Sequence, residues 1–457
     1  MNTNIVDESN MLDTWEVAGT DRDELVRILQ DMADRTYQIH CTTDNLCLLN
    51  RYSHEALQYT GDEDQMLFLR CDNRTALVRN GKVATENKSI LTASRKKLAE
   101  LGMTDELLNE MDRLGGLFQL VATAPAKAEA PASSDQENFL ENEKTEEPQS
   151  VVIPDSWRPF LKDDIRMKPF LISENFIQCL AQRCRIGGRA ISDYSPKRNE
   201  YIMEQCRPDR DLSLIVRLSN NRQFCKVYAQ ASAKYALIPQ TYILDAVDAV
   251  DDMGTPEIVS WIVSNLMTYV EVTFPEAVED YHTVTRKVNV TPGLIVRTSD
   301  TTGSSFQVIC AVQMDNHQLV SLDEKVFTRH YGKVNSAKIM DKIDKDIFRE
   351  VRHFTDRICE LGMYTEKINL REALQLGFKA IDAAHNVLKP SVEEQLIDNI
   401  VNEEGESEVL PLRAMELAMY AYERPELHVT VAEALREISA RALFAAYETL
   451  IRKHAAA

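Results

Sequence analysis

VTPGLIVRTSDTTGSSFQVICAVQMDNHQLVSLDEKVFTRHYGK, residues Val290–Lys333, is the stretch on which the reading of the fold turns. It opens with the apolar run Leu294-Ile295-Val296, breaks into small polar residues from Ser299 to Ser305, and resumes as a second run. From Phe306 onward the residues alternate. Phe306, Val308, Cys310, Val312 and Met314 fall on one side, and Gln307 and Gln313 on the other. That period of two is what a strand with one buried face requires. Two strands joined by a Ser/Thr/Gly tip make a hairpin, and Arg329-His330 then leads into a long helix. The implied class is α+β, with a mainly antiparallel sheet.

Upstream, the sequence predicts strands over Ser213–Ser219 and Gln223–Ser232, turned at Asn220-Asn221, and another around 266–274. A helix is expected over Ser173–Ile186, and Thr255-Pro256-Glu257 reads as a further helix start. Beyond residue 333 the pattern is helical. Ile343, Ile347, Val351, Phe354, Ile358 and Leu361 form one stripe, while Ser391 with Glu394 and Thr430 with Glu433 read as capping boxes.

Towards the N-terminus, Thr20 and Asp23 suggest a capping box before a helix carrying Leu25, Leu29, Met32 and Ala33. Asn80-Gly81 marks a type I′ hairpin over 76–83, helices follow at 88–101 and 104–113, and Leu117–Val121 is a short strand. Residues 123–155 are rich in Ala, Pro, Ser and Glu without apolar periodicity, as in a disordered linker. The expected organisation is therefore a separate small α+β N-terminal domain (1–122), the linker (123–155), an α+β domain (156–361) and a helical C-terminal region (362–457).

No apolar run approaches the roughly 18 residues that a membrane span needs, so no membrane partner is expected and the expected location is the cytoplasm. Nine cysteines without regular spacing fit reduced thiols better than a disulfide framework. The formal net charge is −20, but it is uneven. Residues 1–155 hold 15 Lys+Arg against 29 Asp+Glu, whereas residues 156–238 hold 15 against 8, a local balance of +7. A basic middle leaves room for a phosphate-binding surface, or is simply a solvated face.

Sites of chemistry are sparse. His40, Cys41, Cys47, His54 and Cys71 cluster, but lack the close pairing of zinc ligands, so no metal is expected. Ile186-Gly187-Gly188-Arg189 follows a helix and reads as its C-cap; no Walker lysine, Gly-x-Ser-x-Gly or His-Glu-x-x-His occurs. No cofactor and no catalytic residue is assigned. Ser299–Ser305 reads first as a hairpin turn, with amides and hydroxyls that could also hold a phosphate. Arg329 and His330 suit either phosphate binding or local pairing. In Phe224–Ser232, Cys225, Val227, Ala229 and Ala231 form a small apolar face; Phe224, Lys226, Tyr228, Gln230 and Ser232 form an aromatic, basic and polar one. With Arg217, Arg222, Lys234, Tyr235 and Arg297 nearby, this second face has the makings of a stacking platform for single strands. An ordinary amphipathic sheet surface is the alternative.

Three short motifs occur in order: Ser232-Ala233-Lys234-Tyr235, the strand and hairpin Pro292–Ser305, and Arg329-His330-Tyr331-Gly332 before a long helix. Together they resemble an uncharacterised phage/plasmid-like protein family over about residues 157–361. The family's Cys-x-Asn-Gly is absent, and Asp315-Asn316-His317 stands at about that place. What the resemblance implies is an origin in bacteriophages or mobile elements, hence a bacterial host cell. It brings no established activity and no site residues.

The first expectation is a phage-type protein that binds single-stranded nucleic acid through Arg217, Arg222, Lys226, Tyr228, Lys234, Tyr235, Arg297, Arg329 and His330. The alternative is a non-catalytic interaction protein, self-assembling or directed at a host or phage protein. An enzyme comes third.

Overall fold

The computed structural model of the chain describes residues 8–42, 46–49, 65–66, 93–114, 117–120, 169–183, 185, 211–235, 237–248, 250, 253–301, 305–328, 336–382, 388–425, 427, 431–432, 435 and 440–456. The expected linker at 123–155, the Asn80-Gly81 hairpin, His54, Cys71, Gly187-Gly188, Arg329, His330 and the Thr430/Glu433 box lie outside the described residues.

Two sheets carry the α+β fold. The first is antiparallel throughout, in the order β1 (Glu16–Gly19), β10 (Glu257–Ser264), β11 (Thr268–Thr273), β13 (Lys287–Thr298), β14 (Phe306–Met314), β15 (Val320–Thr328). β12 (Glu279–His282) pairs with the first part of β13. The second sheet runs β2 (Thr36–Thr42), β8 (Asp211–Leu218), β9 (Cys225–Ser232), β7 (Pro169–Ile172), β6 (Leu117–Leu120), β3 (Leu46–Leu49), and only its β7–β9 pair is parallel. Two short ladders join β4 (Gln65–Met66) to β5 (Ala93–Ser94) and β16 (Ile368–Asn369) to β17 (Glu408–Val409). Five helices are interspersed: α1 (Arg22–Arg35), α2 (Arg95–Glu100), α3 (Asp105–Leu114), α4 (Glu174–Arg183) and α5 (Tyr242–Asp248). The last third holds α6 (Ser336–Gly362), α7 (Leu370–Asp382), α8 (Pro390–Glu404), α9 (Pro411–Met419) and α10 (Ala440–Ala456).

The alternation read in β14 has its physical meaning here. Phe306, Val308, Cys310, Val312 and Met314 all enter one large core with Leu294 and Val296 of β13 and the helices that cover this face. Ile295, Ile309, Ala311 and Leu319 make a second, smaller cluster. β13 is apolar on both faces, which is why Leu294-Ile295-Val296 reads as a run and not as an alternation. In α6 the stripe residues Val351, Phe354, Ile358 and Leu361 are buried in the main core as their spacing predicts.

Several local expectations are corrected. β1 and β2, assigned by sequence to a separate N-terminal domain, are built into the two large sheets: Glu16–Gly19 pair with Trp261–Ser264, and Thr36–Thr42 with Asp211–Arg217. A four-residue strand cannot hold together alone, so it takes the open edge of β10. Glu257 starts a strand instead of a helix, because Ile258, Trp261 and Val263 gain ladders to β1 and β11 and burial that a helix at this place would forgo. The cap of α1 is Asp21, whose carboxylate accepts the Glu24 N–H at 2.8 Å, one residue on from the predicted Thr20. Lys389 stands at the cap of α8 without a side-chain hydrogen bond, so Ser391/Glu394 is not a capping box there. The strand β15 was not foreseen. The helix expected from Ser173 is α4, and the Ser173 hydroxyl accepts the Phe176 N–H at 2.9 Å.

Gly293 lies where β13 passes closest to its neighbours: a Cβ there would stand 2.5 Å from the Val272 carbonyl oxygen and 2.5 Å from a Leu319 methyl. Gly293→Ala is therefore expected to cost about 1–3 kcal/mol of stability through overpacking. Chemical denaturation reads this as a lowered midpoint, and an unchanged midpoint would mean that the strands yield.

Candidate functional site

Arg217 of β8 and Lys226 of β9 are direct cross-strand partners, with Tyr228 two residues further along β9. Strand pairing thus brings two cations and an aromatic ring together, as the platform reading requires. Their exposure does not fit it: Arg217 is 1% exposed, and Lys226 and Tyr228 are 0% exposed. The expectation that these residues present an open stacking face is corrected. The chain's own N-terminal segment lies over them.

Each cation has its own partners. The Lys226 ammonium donates to the Met11 carbonyl at 2.7 Å, pairs with Asp13 at 2.8 Å, and also bonds the Glu110 carboxylate. The Tyr228 hydroxyl donates to the same Met11 carbonyl at 3.1 Å. Arg217 donates to Thr36 Oγ1 at 2.9 Å and to Asp300 at 3.1 Å, and its third bond goes to Asn265. Asn265 in turn donates to the carbonyls of Asn10 and Leu12. The Tyr228 ring lies 4.8 Å from the Arg217 guanidinium carbon and 5.4 Å from the Lys226 nitrogen, within cation–π range of both. Just before this, Glu8 accepts the backbone N–H groups of Asn220 and Asn221 at 2.8 and 2.9 Å, fixing the 3-10 turn Glu8–Met11 to the β8–β9 turn.

Burial alone would pull the Lys226 ammonium down, yet Tyr228, Asp13 and Glu110 outweigh it and its pKa is raised. Burial pushes the Tyr228 hydroxyl up, with Lys226 and Arg217 acting against it. Chemically the arrangement is a buried set of paired charges, which holds strands in place and is closed to a phosphate by that burial.

The remaining predicted residues scatter. Arg222 is exposed in the β8–β9 turn at φ 58°, and Lys234 is exposed beyond the other end of β9, about 25 Å away along an eight-residue strand. Tyr235 is half-buried and donates to the Asp300 carbonyl at 3.3 Å. Arg297 is half-buried over the Tyr269 ring at 5.5 Å. Around the hairpin tip, Ser299, Asp300 and Thr301 are buried. Asp300 also accepts from Gln240 at 3.0 Å, and the Ser299 and Thr301 hydroxyls bond each other at 3.2 Å. These three belong to a closed turn and are not a phosphate cradle. Sequence reading missed Asp13, Glu110 and Asp300, the carboxylates that answer the two cations. The only signal was the pairing itself, since two cations opposite each other inside a sheet need counter-charges from elsewhere.

The open chemistry lies at another corner. Among the described large apolar side chains, Met363, Val284, Val278 and Tyr364 are the most exposed, Met363 at 66%. The Val284 N–H donates to the Gly362 carbonyl at 2.9 Å, which seats the β12–β13 turn on the end of α6. A Cβ on Gly362 would come 2.5 Å from a Thr283 methyl, so this approach depends on glycine. Glu279, Asp280, Glu360 and Glu366 stand exposed around it, together with Arg286, Lys287 and Lys367. Burial, with the Asp356 and Glu279 carboxylates adding to it, pushes the Cys359 thiol up. Cys179, Cys225, Cys310 and Cys359 are free thiols, and among the described residues no His/Cys/Asp/Glu group is arranged to hold a metal. No described helix is long and apolar enough to cross a membrane.

Comparison with family models, curated proteins and solved structures finds no match.

The network makes a stability prediction. Lys226→Met strands two carboxylates and is expected to cost about 3–5 kcal/mol, with part recovered when Asp13→Asn and Glu110→Gln are added. A group with a raised pKa contributes stability that is complete below its unfolded value, ordinarily 10.5 for lysine, and lost as pH rises through the folded value. Urea melts should therefore show Lys226's contribution falling only in strong alkali. A Lys226→Met chain as stable as the native one would refute the assignment.

Proposed function

We propose that the chain is a non-catalytic interaction protein that docks a protein partner at the Val284/Met363/Tyr364 corner. The observation that carries this reading is the concentration of exposed apolar side chains where the β12–β13 turn meets the end of α6, since clustered apolar exposure with a polar rim is the mark of a contact surface. The rim carries both signs, Arg286, Lys287 and Lys367 beside Glu279, Asp280, Glu360 and Glu366, and the net charge of −20 opposes close approach of a second copy. The fitting partner has an apolar patch with a rim of mixed charge.

A second reading, binding of single-stranded nucleic acid in a phage or mobile-element setting, draws on the +7 balance over residues 156–238. It would have to run through exposed cations such as Arg222 and Lys234, with no stacking on Tyr228, and these two do not converge.

The test places a photo-crosslinking residue at Met363, at Val284 and, as a control, at exposed Gln395 of α8, in the chain's native cell. A discrete protein adduct is expected at 363 and 284, absent at 395, and lost when Tyr364→Glu is added. Equal adducts at all three positions would reject the corner as a docking site. Salt-sensitive single-strand binding by the purified chain, lost with Arg222→Glu plus Lys234→Glu, would favour the second reading.

A further inference from the structure

The docking corner also holds the most accessible methionine sulfur among the described residues. Met363 is 66% exposed and Met267, at the β10–β11 turn, 39%, while every other methionine whose side chain is described is at most 5% exposed. Met363 follows the last residue of α6, and its own N–H donates to the Glu360 carbonyl at 3.2 Å. Next to it the Gly362 carbonyl accepts the Val284 N–H at 2.9 Å. The backbone on this side is thus fixed, and the thioether stands in solvent beside Val284 and Tyr364.

The described thiols compete poorly for an oxidant. Cys225 and Cys310 are buried, and Cys179 and Cys359 are half-buried. The Cys179 thiol donates to the Asn175 side-chain oxygen at 3.9 Å. Cys359 lies one turn before Met363 and is the thiol nearest to it in sequence. Oxidants attack the thiolate, not the thiol. Burial, with the Asp356 and Glu279 carboxylates adding to it, pushes the Cys359 thiol up, so it stays protonated at neutral pH. A thioether has no proton to lose, and the same carboxylates do not shield Met363 in this way.

We propose that Met363 is a site of reversible oxidation by hydrogen peroxide, and that the sulfoxide formed there turns the corner polar and releases the docked partner. The sulfur lone pair takes one peroxide oxygen as the O–O bond breaks. Sulfur is oxidised by two electrons, and the peroxide is reduced to water. A thiol-dependent sulfoxide reductase reverses the step: the oxygen leaves as water while two thiols close to a disulfide. Sulfoxidation replaces a flexible apolar side chain by a polar, chiral one. In a core that change disrupts packing; at a side chain 66% exposed it leaves the fold intact and alters the surface. The release rests on the docking reading, whereas the chemistry at sulfur does not.

The first measurement treats the full chain with graded hydrogen peroxide and maps the added oxygen by peptide mass spectrometry. Met363 is expected to gain one oxygen ahead of Met267 and of the buried methionines, with Cys359 still reduced and the melting temperature unchanged. Oxidation that begins at Met267, or that spreads evenly over the described methionines, overturns the site. The second places a photo-crosslinking residue at Val284 and incubates the chain, untreated or oxidised, with extract of its native cell. Oxidation is expected to lower the adduct by about tenfold or more, the factor that goes with losing the burial of one methionine side chain. Met363→Gln, a polar stand-in for the sulfoxide, should lower it without peroxide, and Met363→Leu should keep it through peroxide treatment. An adduct that survives oxidation of Met363, or that the Met363→Leu chain loses to peroxide equally, overturns the release. An untreated chain that gives no adduct overturns the docking reading and the release with it, and the mass map still decides the site.

Discussion

Two positive charges face each other across β8 and β9, both out of contact with water. Removing an ion from water costs several kcal/mol even after relaxation, and a like charge alongside adds to that cost. The fold meets it with three carboxylates drawn from distant parts of the chain: Asp13 and Glu110 for Lys226, Asp300 for Arg217. Each brings an element with it. Asp13 holds the N-terminal segment against the second sheet, Glu110 holds α3, and Asp300 ties the tip of the β13–β14 hairpin across to β8. The two sheets are joined through this set of charges as well as through apolar packing.

The same interaction explains which parts of the site were legible. Alternation along Phe224–Ser232 correctly separates two faces, but a polar face waiting for a ligand and a polar face closed by carboxylates have the same local pattern. What distinguishes them is a contact such as Lys226 to Met11, 215 residues apart, which no window of sequence spans.

Elements were legible where local and tertiary preferences agree. β14 alternates because one side enters the main core, and α6 carries its stripe for the same reason. β10 was misread because Thr255-Pro256-Glu257 is a good local helix start, while the decisive partners, β1 and β11, include a strand about 240 positions earlier in the pairing Gly19↔Trp261. In β15 the run Asp323-Glu324-Lys325 interrupts the apolar pattern, so the strand is defined by its ladder to β14 and not by its own composition.

The order in which a ribosome delivers these pieces gives the N-terminal strap an unusual history. Asn10 and Asn265, bonded in the finished molecule, are 255 positions apart. At synthesis rates of about 5–20 residues per second, the strap spends roughly 10–50 s outside the ribosome before its partners exist. For most of that interval Glu8, Met11 and Asp13 have no β8–β9 surface to cover, and β1 has no edge to join. The segment that covers β8 and β9 is therefore made long before the surfaces that hold it.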